Sequence, residues 1–341
     1  MKIVIDDKIP YIREVISKIT DNVIYKKGAD ICSSDVKDAD ALIVRTRTKC
    51  NKALLEGSNV KFIATATIGF DHIDTEYLKN AGIKWMNCPG CNSGSVAQYL
   101  RSVLLLLKKE KGENLSNMTL GIVGCGHVGQ KVKVAAEQLG MKVLVNDPPR
   151  EDAGDKKEDF VSIDEIKKSC DIITFHTPMV REGKYKTVHI ADADFFNELA
   201  KCPYIINTSR GGVVDNNELL KAIKNGKVKD AIIDTWENEP EINLELLEKV
   251  FIGTPHIAGY SADGKVNADN MVIDGLCKFF NIKNEFNIIP PKLPNDIKFS
   301  EDFEERCLQF YNPLVDSSKL KSQPDKFEEL RGNYPIRREK L

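Results

Sequence analysis

The sequence of 341 residues has no long hydrophobic run and no marked excess of charge. Its longest uninterrupted apolar stretch, Val103–Leu107, is far shorter than the roughly 20 residues that span a bilayer. The formal net charge is −2 at pH 7, so neither nucleic acid nor a membrane surface is expected as a partner. The chain starts with a predicted strand and lacks the apolar core of a secretory leader, which favours the cytoplasm.

Cysteine patterns of the kind that hold zinc are also missing. Nine cysteines are scattered along the chain, and their odd number is typical of free thiols in a reducing compartment. The single Cys-x-x-Cys pair, Cys88 and Cys91, has no second pair, so we interpret it as incidental and expect no bound metal. Histidine is scarce as well, with five residues, so chemistry that requires an imidazole has few candidates.

A glycine motif is the most informative feature that is present. Gly124, Gly126 and Gly129 form Gly-x-Gly-x-x-Gly between a β-prone apolar stretch and a segment with helical spacing, with His127 and Val128 inside the turn. In such a strand–turn–helix junction the glycines permit a tight turn, close approach of a pyrophosphate and close packing of helix on strand. The free N–H groups of the helix start attract phosphate. The motif therefore predicts a dinucleotide site.

Asp147 indicates which dinucleotide binds. It ends the next predicted strand, about 20 residues after the motif, where a carboxylate can accept the ribose hydroxyls. A carboxylate at this position repels the additional phosphate of NADP, and we therefore expect NAD. Arg150 could accept that phosphate, and it leaves this preference open.

Strands alternate with helical segments through most of the chain, which is typical of parallel α/β sheets. The predicted strands are Ile3–Ile5, Ala41–Val44, Phe62–Thr65, Ile83–Met86, Met118–Val123, Lys142–Asp147, Ile172–Phe175, Tyr204–Asn207, Ala231–Asp234 and Val250–Gly253. A helix predicted at 267–280 returns the chain to the first domain. We therefore expect a nucleotide-binding domain at 94–257, inserted in a smaller discontinuous α/β domain formed by 1–93 and 258–286.

The C-terminal segment, 287–341, begins with a proline-rich linker and continues as a charged tail with isolated apolar residues. It is too short to fold well alone, so we expect it to dock on the body of the chain or on a second subunit. Its basic residues, Arg331 and those at 337–340, could attract a polyanion, but we interpret them as a solvated surface.

Residues suited to proton transfer and carboxylate binding follow several predicted strands. His256 lies where the chain crosses back to the first domain, and histidine exchanges protons readily near neutral pH. Arg210 could bind a carboxylate through two parallel hydrogen bonds, and Glu239 could hold the imidazole in one tautomer and favour its charged form. Each residue alone is also compatible with a loop contact, a surface ion pair or a helix cap.

The first domain has a polar cluster of its own. Arg45–Thr48 follow one strand, and Thr65 and Thr67 follow the next. Ligands of open α/β sheets bind at the carboxyl ends of strands, and arginine with threonine suits a carboxylate or phosphate. A solvated loop is an equally good interpretation from these residues alone.

The order of motifs resembles the D-isomer specific 2-hydroxyacid dehydrogenase family. After the glycine motif come His-Thr-Pro at 176–178, Asn-x-x-Arg-Gly-Gly-Val-Val-Asp at 207–215, Asp-x-Trp-x-x-Glu-Pro at 234–240 and Pro-His-Ile-Ala-Gly at 255–259. The resemblance implies an NAD-dependent enzyme in which Arg210, Glu239 and His256 are catalytic, with His256 exchanging the proton. It implies cofactor contacts from Gly124, Gly126, His127, Val128, Gly129, Asp147, Thr177, Ser209, Asp234 and Gly259. It implies substrate contacts from Arg45, Thr46, Thr67 and Tyr260.

The resemblance also bears on architecture, substrate and assembly. It implies a Rossmann-type nucleotide domain inserted in a flavodoxin-like domain, a small phosphorylated 2-hydroxy acid as substrate, and a homodimer formed through 287–341. The chain departs from the family pattern in two respects. Its dimerisation segment is shorter than usual, and Ser209 stands before Arg210 where the family usually has alanine or cysteine. A dehydrogenase for another 2-hydroxy acid, such as phosphoglycerate, and a non-catalytic NAD(H)-sensing protein on the same fold both remain open.

Overall fold

A computed structural model of the protein describes residues 1–293 and 298–339. The chain divides into two compact units, one of Met1–Asn92, Ser261–Leu293 and Arg338–Leu341, the other of Ser93–Tyr260 and Pro294–Arg337. Each unit has its own parallel sheet and its own buried apolar clusters. Within the described ranges, no helix combines the length and apolar character needed to cross a membrane.

The sheet of the first unit has five parallel strands in the order β2-β1-β3-β4-β5, which is the flavodoxin-like order. Its strands are β1 Ile3–Asp6, β2 Val23–Lys26, β3 Ala41–Val44, β4 Phe62–Thr65 and β5 Lys84–Met86. Every residue of β1, β3 and β4 is buried, as expected for parallel strands covered on both faces. The edge strand β2 was not predicted, because its residues are only half-buried and show no clear pattern.

Short helices connect these strands: α1 Arg13–Ile19, α2 Ser33–Val36, α3 Lys52–Leu55 and α4 Thr75–Asn80. The Cys-x-x-Cys pair is inside this unit, and the Sγ of Cys88 donates to the carbonyls of Thr65 and Ala268, each at 3.4 Å. Burial raises the pKa of Cys91 to about 12. Both thiols are therefore protonated and poorly reactive at neutral pH.

The second unit contains a six-stranded parallel sheet in the order β11-β10-β9-β8-β6-β7. Its strands are β6 Thr119–Val123, β7 Lys142–Asn146, β8 Ile172–Phe175, β9 Tyr204–Asn207, β10 Asp230–Ile233 and β11 Ile252–Gly253. An isolated parallel bridge between Val145 and Phe160 extends the sheet beyond β7. With that bridge, the strand order is that of a Rossmann sheet. The order in which successive strands are added reverses between β6 and β8.

The described helices between the strands of this sheet and before them are α5 Ser93–Lys111, α6 His127–Glu137, α7 Pro148–Asp152, α8 Ile163–Ser169, α9 Ala193–Asn197, α10 Asn216–Lys224 and α11 Leu244–Lys249. The long helix α5 buries its leucine-rich face in the core of the unit. Tyr99, on this face, is fully buried, and its hydroxyl pairs with Thr254 Oγ1 at 2.9 Å. Helix α5 thereby supports the loop that follows β11.

Helix α12, Ala262–Phe279, belongs to the first unit and begins five residues before the predicted start. Ser261 caps it, accepting a hydrogen bond from the N–H of Gly264 at 2.8 Å. Phe279 stacks on Phe62 of β4 with ring centroids 5.0 Å apart. A Cβ on Gly275 would lie 2.0 Å from the Met86 sulfur, so a larger residue there would require the Met86 side chain to move.

The tail forms α13 Phe303–Phe310, α14 Pro313–Ser322 and α15 Phe327–Gly332, all within the second unit. Ser102 of α5 donates to the Tyr311 carbonyl at 2.8 Å, and Ser317 Oγ accepts from the Gly253 N–H at 3.0 Å. Leu320 and Phe327 are buried in the core. The prediction that the tail docks on the body of the chain is thus confirmed within this unit.

Candidate active site

The glycine motif adopts the turn that its sequence predicts. Gly124 has a φ of +88°, a region that side chains with a Cβ rarely adopt. A Cβ on Gly129 would lie 2.3 Å from the Gly124 carbonyl oxygen, whereas one on Gly126 would meet nothing within 4 Å. Helix α6 begins at His127 without a side-chain cap. Among the described residues, no side chain therefore takes up the first N–H groups of α6, which leaves them available to a phosphate.

The loop after β8 adds a second feature that fits a bound dinucleotide. A Cβ on Gly124 would lie 2.9 Å from the Thr177 nitrogen, so this loop lies directly against the glycine turn. The Thr177 hydroxyl is buried and has no hydrogen-bond partner in the described part of the chain. Buried hydroxyls almost always have a partner, and a cofactor at the turn would supply one.

Asp147 and Arg150 explain the preference for NAD. Asp147 Oδ2 accepts the Cys125 N–H at 2.7 Å, which places the carboxylate beside the glycine turn. Arg150 donates from Nη1 to the Cys125 carbonyl at 2.6 Å, and from Nε and Nη2 to Asp155 Oδ2 at 3.0 and 2.8 Å. Because its guanidinium is engaged by the protein, Arg150 is poorly placed to accept the phosphate of NADP.

Arg210 follows β9 in a loop that packs tightly on its neighbour. Asn207 Nδ2 donates to the Arg210 carbonyl at 2.9 Å, and Ser209 Oγ donates to Asn207 Oδ1 at 2.8 Å. A Cβ on Gly211 would lie 1.8 Å from the Trp236 carbonyl oxygen. Gly211 thus lets the Arg210 loop approach the loop after β10, which carries Glu239.

The central finding at this site is the pairing of Glu239 with His256. His256 Nδ1 and Glu239 Oε2 are 2.8 Å apart, and Glu239 Oε1 accepts the Trp236 N–H at 2.9 Å. Burial opposes ionisation of Glu239, but His256, the Trp236 N–H and Arg331 together hold its pKa below the ordinary value. The carboxylate is therefore ionised and points at one nitrogen of the ring.

Asp234 fixes the loop that carries His256. Its carboxylate accepts from Thr254 Oγ1 at 2.6 Å and from the N–H groups of Ile257 and Ala258 at 2.8 and 2.9 Å. His256 itself has a φ of +56°, an unfavourable conformation for a residue with a Cβ that is typical of functional sites. Asp234, expected to contact the cofactor, thus has a clear role in holding this turn.

The other histidines have different surroundings. Burial lowers the pKa of His176 to about 3, and its ring is hydrogen-bonded to Thr174 at 3.0 Å and Thr208 at 3.4 Å. His189 pairs with Glu237 at 2.6 Å. His127 is exposed at the start of α6. Among these, His256 alone combines a strand-end loop with a buried carboxylate on its Nδ1.

In the first unit, the predicted substrate residues lie at the carboxyl ends of β3 and β4. Thr67 Oγ1 is 2.7 Å from Thr65 Oγ1 and donates to the Gly69 carbonyl at 2.8 Å. Arg45 Nη1 donates to the Lys8 carbonyl at 3.3 Å, and Thr46 is exposed. These three side chains are thus accessible or only partly buried at one sheet edge.

Thr48 was grouped with these residues but has a structural role. It is buried, and its hydroxyl donates to the Gly28 carbonyl at 2.8 Å.

The interpretation of the basic tail residues as a solvated surface was wrong. Arg337 is 5% exposed and donates to the carbonyls of Ser95 and Ala258. Arg338 binds Asp263, and Arg331 lies 3.8 Å from Glu239 Oε2. Lys340 lies outside the described residues. Arg331 is the residue at this site that sequence reasoning missed, because nothing in its local pattern links it to Glu239.

Comparison with known proteins agrees with this geometry. Residues 98–258 match the model of the D-isomer specific 2-hydroxyacid dehydrogenase, NAD binding domain. The erythronate-4-phosphate dehydrogenase of Bacteroides thetaiotaomicron is 58% identical over 339 residues, covering 99% of this chain and 97% of the relative. The enzyme of that name from Escherichia coli O157:H7 is 41% identical over 99% of this chain and 92% of its own length.

The chain belongs to the D-isomer specific 2-hydroxyacid dehydrogenase family.

Solved structures of the family share the fold. D-lactate dehydrogenase from Aquifex aeolicus, complexed with NAD and lactic acid, superposes with a TM-score of 0.69 at 27% identity, covering 82% of this chain and 96% of that one. NAD+-bound 3-phosphoglycerate dehydrogenase from Entamoeba histolytica superposes with a TM-score of 0.69 at 29% identity, covering 86% of this chain and 99% of that one. The predictions of a Rossmann-containing α/β fold, of an NAD-dependent dehydrogenase and of NAD as cofactor are confirmed.

Proposed function

We propose that the protein oxidises 4-phospho-D-erythronate to 2-oxo-3-hydroxy-4-phosphobutanoate with NAD, a step in the biosynthesis of pyridoxal 5′-phosphate. The observation that carries this proposal is identity of 58% along 99% of the chain with an enzyme named for that substrate. Identity with the structurally similar lactate and phosphoglycerate enzymes is 27% and 29%, so the fold alone supports only the family.

The second unit supplies the residues for the reaction. Arg210 would grip the substrate carboxylate through its planar guanidinium. The Nδ1 of His256 is held by Glu239, so Nε2 is the nitrogen that takes the proton of the substrate hydroxyl. NAD, when bound, supplies the acceptor for the hydride, which leaves the carbon that bears this hydroxyl. Glu239 then stabilises the imidazolium, because an anion beside the ring favours its charged form.

Cofactor contacts are proposed from the residues around the glycine turn. The N–H groups at the start of α6 would bind the pyrophosphate, and Asp147 would accept the ribose hydroxyls. The unpartnered hydroxyl of Thr177 supports its assignment to the cofactor. Ser209 and Gly259, on the loops that carry Arg210 and His256, complete the proposed cofactor set.

Substrate contacts are proposed from Arg45, Thr46, Thr67 and Tyr260. The first three follow adjacent parallel strands of the first unit, and the guanidinium and hydroxyls suit the phosphate end of the substrate. In this assignment residues 1–93 and 258–286 form the substrate domain, and 94–257 form the NAD-binding domain.

We also propose a cytoplasmic homodimer formed through the segment 287–341. Four large apolar side chains in the described part of this segment are well exposed: Ile289 at 72%, Phe303 at 42%, Val315 at 53% and Ile336 at 63%. Exposed apolar residues are favourable candidates for burial between subunits.

A substrate panel tests the proposed reaction. The absorbance of reduced nicotinamide is followed with 4-phospho-D-erythronate, with D-erythronate, which lacks only the phosphate, and with 3-phosphoglycerate. We expect the highest kcat/KM for 4-phospho-D-erythronate. A preference for 3-phosphoglycerate would assign the protein to another member of the family. Absence of turnover with every 2-hydroxy acid would favour an NAD(H)-sensing protein.

A further inference from the structure

Arg331, on the last helix of the tail, lies against the Glu239–His256 pair. Its Nη1 is 3.8 Å from Glu239 Oε2, the oxygen that also contacts His256 Nδ1. Its guanidinium carbon is 5.8 Å from the centre of the Tyr260 ring, and Tyr260 contributes to the raised pKa of Arg331. The side chain of Arg331 is only 21% exposed. A largely buried cation is thus shared between the carboxylate and a proposed substrate residue.

The packing of α15 fixes the position of this cation. Phe327, one turn before Arg331, is 1% exposed in the core of the second unit, and Leu330 packs against the same core. Tyr334, just after the helix, meets Tyr260 edge-on with centroids 6.2 Å apart and donates to Asp316 at 2.9 Å. Because α15 is anchored on both sides of Arg331, the guanidinium is held in place rather than left to swing into solvent.

We propose that Arg331 is a positioning residue of the active site, which sets the charge balance of the Glu239–His256 pair and orients Glu239 together with Tyr260. This inference rests on the proposed function, in which His256 accepts the substrate proton. No local sequence feature assigns such a role to the tail. Its consequence is that the C-terminal segment contributes directly to the proton chemistry of the chain that carries it.

The direction of the effect follows from the charges. Glu239 stabilises the imidazolium form of His256, because an anion beside the ring favours its charged form. A positive charge 3.8 Å from the same carboxylate oxygen weakens that stabilisation. Oxidation of a hydroxy acid requires a neutral imidazole to take the proton. Arg331 therefore extends the range in which the enzyme is active towards lower pH.

Other charged groups also lie near the Glu239–His256 pair. Asp234 lies close enough to interact with His256, but its own charge is opposed by burial. Tyr260 borders Arg331, and Glu328 lies near the guanidinium on the same helix. Burial opposes the charge of Arg331, yet Tyr260 and Glu239 outweigh it and raise the pKa of Arg331 above its ordinary value. Arg331 is thus a permanent cation beside the pair.

The test compares pH profiles of kcat and kcat/KM for oxidation of 4-phospho-D-erythronate. In Arg331→Gln we expect the acidic limb to move to higher pH by on the order of half a unit to one unit. In Arg331→Lys the limb should stay close to that of the wild type while kcat falls several-fold, because lysine keeps the charge but lacks the planar fork. Arg306→Gln, the same change in α13 where Arg306 contacts the carbonyls of Ser300 and Glu301, should leave the profile unchanged.

An acidic limb in Arg331→Gln that coincides with the wild-type limb would overturn the inference, even if kcat and thermal stability fall, since a purely structural arginine gives that result. If Arg331→Gln does not fold, Arg331→Lys decides: a wild-type kcat would reject the positioning role. Glu239→Gln and His256→Ala are measured alongside. Full turnover in Glu239→Gln and His256→Ala would reject the proposed catalytic roles of these two residues. If both variants lose turnover while the acidic limb of Arg331→Gln stays at its wild-type position, only the proposed role of Arg331 is rejected.

Discussion

The Nδ1 atom of His256 lies 2.8 Å from Oε2 of Glu239, although the two residues are 17 positions apart and follow different strands of the sheet. Parallel strands bring their carboxyl ends to one edge, and the loops after β10 and β11 meet there. The Trp236 N–H holds the other Glu239 oxygen. The carboxylate is therefore fixed on both oxygens, and the imidazole is presented in one orientation.

Replacing His256 with alanine should reduce turnover by roughly 10²–10⁴, the usual contribution of a general acid–base group. NAD binding, measured by fluorescence titration, should change little. His189→Ala is a matched control, because His189 also pairs with a glutamate, Glu237, at 2.6 Å but has no place in the proposed reaction. Equal turnover in the two variants would remove His256 from the mechanism.

Arg210→Lys should lower kcat/KM by about tenfold or more despite the retained charge, because lysine cannot form two parallel hydrogen bonds with a carboxylate. Steady-state kinetics with 4-phospho-D-erythronate measure the effect. Arg181→Lys, in an exposed loop, should match the wild type. If the Arg210 variant has wild-type kinetics, the proposed carboxylate contact is incorrect.

Cofactor choice should depend on Asp147 and Asp155 together. The wild type should strongly prefer NAD, since Asp147 repels the extra phosphate of NADP and Asp155 holds the Arg150 guanidinium. Combining Asp147→Ser with Asp155→Asn removes the repulsion and releases the arginine. We expect kcat/KM with NADP to rise at least about tenfold over that of Asp147→Ser alone. Identical NADP kinetics in the single and double variants would show that Arg150 is not restrained by Asp155.

The partly buried His176 should make the folded protein sensitive to mild acid. Burial lowers its pKa from 6.5 to about 3, so below pH 6.5 the unfolded chain binds a proton that the folded protein excludes. The contribution of this group to the free energy of unfolding is therefore retained above pH 6.5 and lost as the pH falls towards 3. The loss is at most about 1.4 kcal/mol per pH unit. In His176→Gln the free energy of unfolding, measured in urea between about pH 6.5 and 5, should decline less steeply. Parallel curves for the two proteins would contradict this.

Some of this structure could be predicted from local sequence. The glycine motif imposes its turn because Gly124 and Gly129 occupy positions where a Cβ would clash. The strand ends carrying Arg210 and His256 could be found because buried parallel strands are continuous apolar runs. These features depend on residues that are neighbours in the chain, so the pattern indicates both the element and the chemistry that follows it.

The remainder depends on tertiary packing that no local pattern records. Arg331 and Arg337 are basic residues in a charged tail, and only the docking of α14 and α15 buries them. Thr48 has the same polar character as its neighbours in sequence, and only the fold brings its hydroxyl to the Gly28 carbonyl. The edge strand β2 has too little burial to produce a pattern. In each case the decisive neighbour is distant in sequence or the apolar signal is weak.

The most direct test of the proposed reaction follows the hydrogen itself. 4-Phospho-D-erythronate carrying deuterium on the carbon of the 2-hydroxyl is incubated with NAD and the protein, and the reduced nicotinamide is analysed by mass spectrometry. We predict that the wild type transfers one deuterium per reduced nicotinamide formed, at a rate that His256→Ala lowers by roughly 10²–10⁴. Reduced nicotinamide without deuterium, or no reduction with this substrate while 3-phosphoglycerate is oxidised, would contradict the proposal.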